Sequence, residues 1–297
     1  MLTIFSIPKP FIGHIGVIQR NAITSWTLLR PRPEVIIFGD EEGIQEICQS
    51  LGIRHVPNIA RNEFGTPLLN DVFEKAKEMA TDQLCYVNAD ILLMNDFMLA
   101  VRRVAEWRRP ALLVGRRCDL DITEPLRFGD SSWEANLRTQ AECSGTLRPT
   151  NWIDYFVFPN SLFEEIPPFA IGRTVWDNWL IWYAAHRGAV VVDATPSVLA
   201  IHQNHDYSHV VQGEDGIWKG EEARRNEELM GGPNRQWHIM NANFVLTPQG
   251  IRRAWGKPYR KARFKVWRRA YDLRARALRH AIGLDRKRIE SFLRVFK

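Results

Sequence analysis

The sequence predicts an α/β protein: a mostly parallel, mixed sheet flanked by helices, followed by a basic helical tail. Three observations carry this. Short β-branched runs at residues 2–7, 34–38 and 84–87 alternate with longer stretches of helical period. Strands and helices that alternate in this way build parallel sheets through right-handed crossovers. Charge is also divided unevenly along the chain. Residues 251–297 hold 17 Lys/Arg against three acids (Asp272, Asp285, Glu290), a net of +14, which leaves −8 on residues 1–250 of a chain totalling +6. An acidic body over 1–250 and a basic amphipathic tail over 251–297 are therefore expected.

In chain order, 2–7 is a first strand stopped by Pro8 and Pro10, and a helix over 15–29 is broken by Pro31 and Pro33. Residues 34–38 form a second strand with Gly39 and Asp40 at its carboxyl end. A helix over 41–50, a short strand at 53–56 and a polar loop at 61–65 follow. Thr66 and Pro67 supply the N-cap and first position of a helix running to about Ala80. The stretch 84–93 starts as a buried strand and delivers two polar side chains, Asn88 and Asp90. A helix over 96–108, a strand at 111–114, a polar segment at 115–119, a helix over 131–143 and a strand at 152–158 come next. After Pro167-Pro168 the chain reads Trp176-Asp177-Asn178-Trp179, a helix over 179–186, a strand at 189–192, and 199–202 leading into a polar loop.

Composition excludes several classes. Apolar residues make up 45% and charged residues 25%, as in an ordinary globular protein. No run approaches about 18 consecutive apolar residues, so no membrane-spanning helix is expected. The first residues lack the basic region of a secretion signal, which points to a cytoplasmic protein. Cys48, Cys85, Cys118 and Cys143 lie far apart with no CxxC pair and read as free thiols. There is no GxGxxG and no GxxxxGK[ST], which counts against a dinucleotide-binding domain and a P-loop kinase.

The polar residues cluster at strand ends. Ser6 and Pro8 follow the first strand, Asp40 the second, and Asn88 and Asp90 the fourth, which builds a crevice suited to a nucleotide. An acid such as Asp90 at the end of an apolar run needs a partner. A hard divalent cation bridging to a diphosphate is one; a cap on the next helix is the other reading. Arg116 and Arg117 either neutralise that diphosphate or lie in a solvated turn. Asp177 sits between two tryptophans, where desolvation raises a carboxyl pKa toward that of a general base. The alternative is an N-cap Asp whose tryptophans simply pack. His202, His205 and His209 admit one metal-ligating histidine beside Asp90, a set of loop hydrogen bonds, or a three-histidine zinc site.

Taken together these residues resemble the GT-A glycosyltransferases, a Rossmann-like family that moves a sugar from a nucleotide-sugar to an acceptor. The likeness rests on the strand ending in Asp40, on Asn88-Ala89-Asp90 as a degenerate Asp-x-Asp, on Trp176-Asp177-Asn178 and on His202. The resemblance implies a nucleoside held by Asp40 and the loop at Ser6 and Pro8. It implies Mn²⁺ or Mg²⁺ on Asp90 and His202 and transfer to a glycan or lipid-linked acceptor, with inversion where Asp177 serves as base like the matching acid of the inverting members. Asp154 would face the donor, and Asn88 replaces the first acid of the motif with an amide. The tail repeats Phe264, Trp267, Tyr271, Leu278 and Ile282 among Lys and Arg, a pattern for an anionic membrane surface or for a solvated face. No nucleic-acid module accompanies it. Two other functions stay open: a non-catalytic nucleotide-sugar or sugar-binding module, and a zinc hydrolase built on His202, His205 and His209.

Overall fold

The computed structural model describes residues 1–80, 82–107, 109–205, 218–266 and 268. The chain forms two compact units, Met1–Ala254 and Trp255–Lys297. Strand residues 251–253 belong to the sheet of the first unit, so the body runs four residues past the expected boundary at 250. In the second unit the described residues contain a helix at 257–266, with Phe264 59% exposed. The tail positions Trp267, Tyr271, Leu278 and Ile282 lie outside the described residues, as does His209.

The first unit opens with β1 (Leu2–Ser6), α1 (Gly13–Leu28), β2 (Glu34–Phe38), α2 (Ile44–Leu51), β3 (Arg54–Val56) and α3 (Leu69–Met79). β4 (Gln83–Val87), β5 (Ile91–Leu92), α4 (Asn95–Glu106), β6 (Ala111–Leu120), α5 (Trp133–Ser144) and β7 (Thr146–Leu147) follow. The rest is β8 (Ile153–Pro159), α6 (Trp176–His186), β9 (Val190–Asp193), β10 (Ala200–Gln203), the helix Glu221–Met230, β11 (Phe244–Thr247) and β12 (Gly250–Arg253). The sheet runs β12-β11-β9-β6-β8-β4-β1-β2-β3. β1, β2, β3 and β4 are mutually parallel, as are β6, β9 and β11, while β8 is antiparallel to both β4 and β6. The expected mostly parallel sheet is present, with β8 as the reversed strand that joins its two halves.

Pairing refines one local expectation and corrects two. The strand at the start of 84–93 ends at Val87 as expected, and the stretch adds a second strand, β5, after a turn at Asn88–Asp90 that the Ile91 N–H closes onto the Asn88 carbonyl at 3.1 Å. Thr66 and Pro67 do not start a helix: Pro67 bridges Arg61 and Leu68 bridges Ala170, so α3 begins only at Leu69. The segment 115–119 is a continuation of β6. It shifts register on β8 at a bulge between Val114 and Arg116, leaves β9 there, and pairs β10 and β7 from Arg117 onward. Gly115 is needed there, because a Cβ would stand 2.1 Å from the Tyr155 hydroxyl.

Aromatic packing fixes the elements that carry the polar edge. Phe5, Phe73, Tyr86 and Phe158 meet at 5.1–6.3 Å, and Trp176 at the start of α6 packs edge-to-face on Tyr86 at 5.3 Å. The fully buried Trp26 of α1 donates its indole N–H to the Ile91 carbonyl at 2.9 Å, just past the Asn88–Asp90 turn. Cys48, Cys85, Cys118 and Cys143 are free. Among the described residues no helix is long and apolar enough to cross a membrane.

Candidate active site

A cavity of about 530 Å³ opens at the carboxyl ends of β1, β2 and β4, a size that suits a small-molecule ligand. Pro8, Asn88, Asp90, Arg117, Asp154, Asp177 and His202 all border it. Seven of the ten residues expected from sequence are thus brought together from six separate elements.

The other three stand elsewhere, each for a plain reason. Ser6 is fully buried, and its hydroxyl donates to the Val87 carbonyl at 2.5 Å, so it locks β1 to the end of β4. Asp40 points to a neighbouring depression and pairs with Arg61 at 2.7 Å, while the next residue, Glu41, borders the main cavity. Arg116 alternates to the opposite face of β6 from Arg117 and donates to the Arg148 carbonyl at 2.5 Å. The strand period separates two adjacent arginines that read alike in sequence.

Asp90 does not cap a helix: α4 begins five residues later, with Met94 at its N-cap. Its Oδ2 stands 3.1 Å from His205 Nε2 and 3.7 Å from His202 Nε2. Asp90, His202 and His205 offer ligand atoms that all lie within 4.8 Å of one another. Asp90 Oδ1 is buried with no hydrogen-bond partner, an orphaned acceptor that a cation would satisfy. Burial alone would raise the Asp90 carboxyl. The charge on His202, the hydrogen bond and charge of His205, and Lys9 outweigh it and hold the group well below the usual carboxylate range. One carboxylate and two imidazoles are a donor set for a divalent ion such as Mn²⁺, softer than the all-oxygen set that Mg²⁺ prefers. The residues fit a metal.

The backbone behind this trio is pinned by buried amides. Gln203, fully buried, donates to the carbonyls of Ile18 (2.7 Å) and Asp90 (3.1 Å) and accepts from Asn21 (3.0 Å). Gln19 grips Lys9 from both sides, accepting from its N–H at 2.6 Å and donating to its carbonyl at 2.8 Å. These polar anchors cost little because each is satisfied in place.

Asp119 lies one pleat beyond Arg117 on the same face of β6. It stands 3.3 Å from His202 Nδ1, 2.8 Å from Arg117 Nε and 3.3 Å from Arg148 Nε. Burial would raise its carboxyl, but the approach of His202 and the two guanidinium charges keep it below the usual range. A carboxylate behind a ligating histidine fixes the ring so that Nε2 faces the cation. Asp119→Asn should therefore weaken Mn²⁺ binding by about tenfold to a hundredfold, read by calorimetric titration of the whole chain. Unchanged affinity would mean that Asp119 only pairs with the arginines.

The base side is built differently. Asp154, 7% exposed, accepts from Asn88 Nδ2 at 2.6 Å and from Arg117 at 3.3 Å. Asn88 is thereby committed to Asp154. Asp177 lies in the first turn of α6 and is not its N-cap, which is Val175, held at φ +72°. A buried β-branched residue in that region stores strain of about 1–3 kcal/mol, a cost that clusters at functional sites. Burial lifts the Asp177 carboxyl to about 7, helped by the negative charge of Asp154 and opposed by the N–H groups of Asn178 and of Asp177 itself. The cavity therefore holds two acids driven in opposite directions, Asp90 ionised and Asp177 poised near neutrality.

Sequence reasoning passed over Glu41, Asp119, Gln203 and Lys9 as site or supporting residues. Only Asp119 left a signal, its two-residue spacing from Arg117 within a run that continues a strand.

No family model matches the chain, and no curated protein matches it. Among solved structures it is similar to nucleotide-diphospho-sugar transferases. One is the glucosyl-3-phosphoglycerate synthase of Mycobacterium tuberculosis in complex with Mn²⁺, UDP and phosphoglyceric acid, at 14% identity and TM-score 0.47 over 78% of this chain and 79% of that one. Another is S. aureus TarS 1–349 in complex with UDP-GlcNAc, at 13% identity and TM-score 0.46 over 70% of this chain and 60% of that one. What the cavity can do follows from its own residues.

Proposed function

We propose that the chain is a GT-A glycosyltransferase that moves a sugar from a nucleotide-sugar donor to an acceptor hydroxyl with inversion. One observation carries this reading: a metal-fitting trio and a carboxyl poised near pH 7 border a single cavity at the carboxyl edge of a parallel sheet. Asp90, His202 and His205 would hold the divalent ion. When bound, that ion supplies Lewis-acid stabilisation of the departing diphosphate. Pro8 and Glu41 border the nucleoside end, and Lys9 adds positive charge beside Asp90. Asp177 takes the proton from the acceptor hydroxyl as it attacks the anomeric carbon, and that proton stays on its carboxylate. Asp154, held by Asn88 and Arg117, keeps Asp177 basic enough to accept it.

A thermal-shift screen of nucleoside diphosphates with and without Mn²⁺ tests the donor half. Stabilisation by one nucleotide that depends on Mn²⁺ is the expected result; no response to any of them would sink the reading. Retained nucleotide binding without transfer would reduce the protein to a binding module. The zinc-hydrolase alternative needs His209 as third histidine, whereas Asp90 completes the described trio.

The tail is proposed to dock the enzyme on an anionic membrane beside its acceptor, a reading supported by its 17 Lys/Arg against three acids. Full-length protein should co-sediment with vesicles rich in anionic lipid, and a chain ending at Ala254 should not. Equal sedimentation of both would remove the idea.

A further inference from the structure

We propose that the acceptor is a neutral saccharide, seated on Trp218 beside the base Asp177 and gripped through Asn178. The inference rests on the glycosyl-transfer reading above and specifies its acceptor class.

Asn178 follows Asp177 on α6, borders the cavity and is 6% exposed. Its Nδ2 is buried without a hydrogen-bond partner. An orphaned amide donor of this kind costs about 1–3 kcal/mol. A hydroxyl oxygen neighbouring the one that Asp177 deprotonates would satisfy it.

Trp218 borders the same cavity and is 40% exposed, which leaves a ring face open to a ligand. Trp152 braces it edge-to-face at 6.0 Å and is itself fixed by the guanidinium groups of Arg117 and Arg148, 4.5 and 4.3 Å from its ring centre. A sugar ring presents a face of C–H bonds with slight positive charge, which matches the negative face of an indole. Hydroxyls around the ring edge match amide donors and acceptors such as Asn178 and Gln236.

The charges here argue against an anionic acceptor. A phosphate or carboxylate is ordinarily taken by a guanidinium in bidentate contact. Among the described residues each guanidinium on the cavity is already engaged by acids: Arg117 by Asp119 and Asp154, Arg173 by Glu222 at 2.6 Å, Arg61 by Asp40 and Glu41. Lys9 acts on Asp90, at the metal end. The cavity that Asp177 borders thus offers exposed aromatic and amide surface, suited to a neutral ring.

The test titrates the whole chain, through intrinsic tryptophan fluorescence, with neutral hexosides, hexose phosphates and hexuronic acids. The Mn²⁺–nucleotide thermal shift reports separately on the donor site. Neutral hexosides should bind and accept sugar, with affinity falling about tenfold or more in Trp218→Ala, recovering in Trp218→Tyr, and falling in Asn178→Ala. Free and alkyl-linked hexosides in the panel separate a soluble acceptor from a lipid-linked one. If the nucleotide shift is intact but only phosphorylated or uronic sugars bind, or Trp218→Ala changes nothing, the acceptor proposal falls and the donor reading stands. If the nucleotide shift is absent while neutral hexosides bind through Trp218, the donor reading falls and the saccharide site stands.

Discussion

Asp177→Asn is expected to abolish measurable sugar transfer, a loss of about 10²–10⁴-fold, while making the protein more stable at pH 8. The two effects share one cause. A carboxyl at about 7 is useful as a base because it ionises near working pH, and it sits there because its ionised form is poorly solvated in the fold. In the unfolded chain the same group has a pKa near ~3.9. Between roughly pH 4 and 7 the folded protein keeps a proton that the unfolded chain has released, so stability falls as pH rises through that window. Above 7 the whole penalty is present, on the order of 2–4 kcal/mol at ~1.36 kcal/mol per pH unit. Asparagine carries no charge and escapes it. Melting curves of both proteins should therefore diverge from pH 5 to pH 8, with the variant higher. In the wild type, kcat/KM for transfer should climb with pH and level off above about 7. A variant with wild-type turnover, or a melting difference that ignores pH, would remove Asp177 from the role of base.

Asp90→Ala is expected to erase the Mn²⁺-dependent nucleotide response and to lower transfer at least about 100-fold, as should chelation of the wild type. The carboxylate supplies both an oxygen that is already orphaned and the negative charge that makes two adjacent imidazoles tolerable to a cation. Removing it leaves His202 and His205 facing each other at 5.3 Å between ring centres with nothing to balance an ion. Calorimetric titration with Mn²⁺, in the absence of any donor, reads the loss directly and separates it from catalysis. Unchanged Mn²⁺ affinity in the variant would show that the trio is a hydrogen-bonded cluster only. Asn88 is a different matter. It makes a 2.6 Å hydrogen bond to Asp154, so Asn88→Ala should disturb the base side and leave Mn²⁺ binding in place.

Asp90, Asp177 and His202 were readable in the sequence because each interrupts or ends an apolar run. A charge in such a place is costly unless something uses it, and that rule needs no coordinates. The identity of the supporting groups was another matter. Asp40 and Glu41 are adjacent, and only the turn after Gly39, at φ +102°, decides which carboxylate reaches the cavity. Arg116 and Arg117 form a similar pair, sorted by a strand that runs to Leu120, six residues further than its apolar pattern suggests. The reason for that extension lies 83 residues away: β10 pairs with the second half of β6 and draws its polar residues into a ladder.

The sequence by itself determined the alternation of strands and helices, the acidic body with its basic tail, and the acids most costly to bury. These are local properties of period, composition and charge. The tertiary structure decided which of those acids meet. It brought His205 as well as His202 to Asp90, set Asp119 behind His202, and lifted Asp177 by burying it near Asp154. Distances of a few ångströms between residues a hundred positions apart are set by strand register and helix packing, and pKa follows distance and burial. Those are properties of the assembled sheet, and no single stretch of the chain contains them.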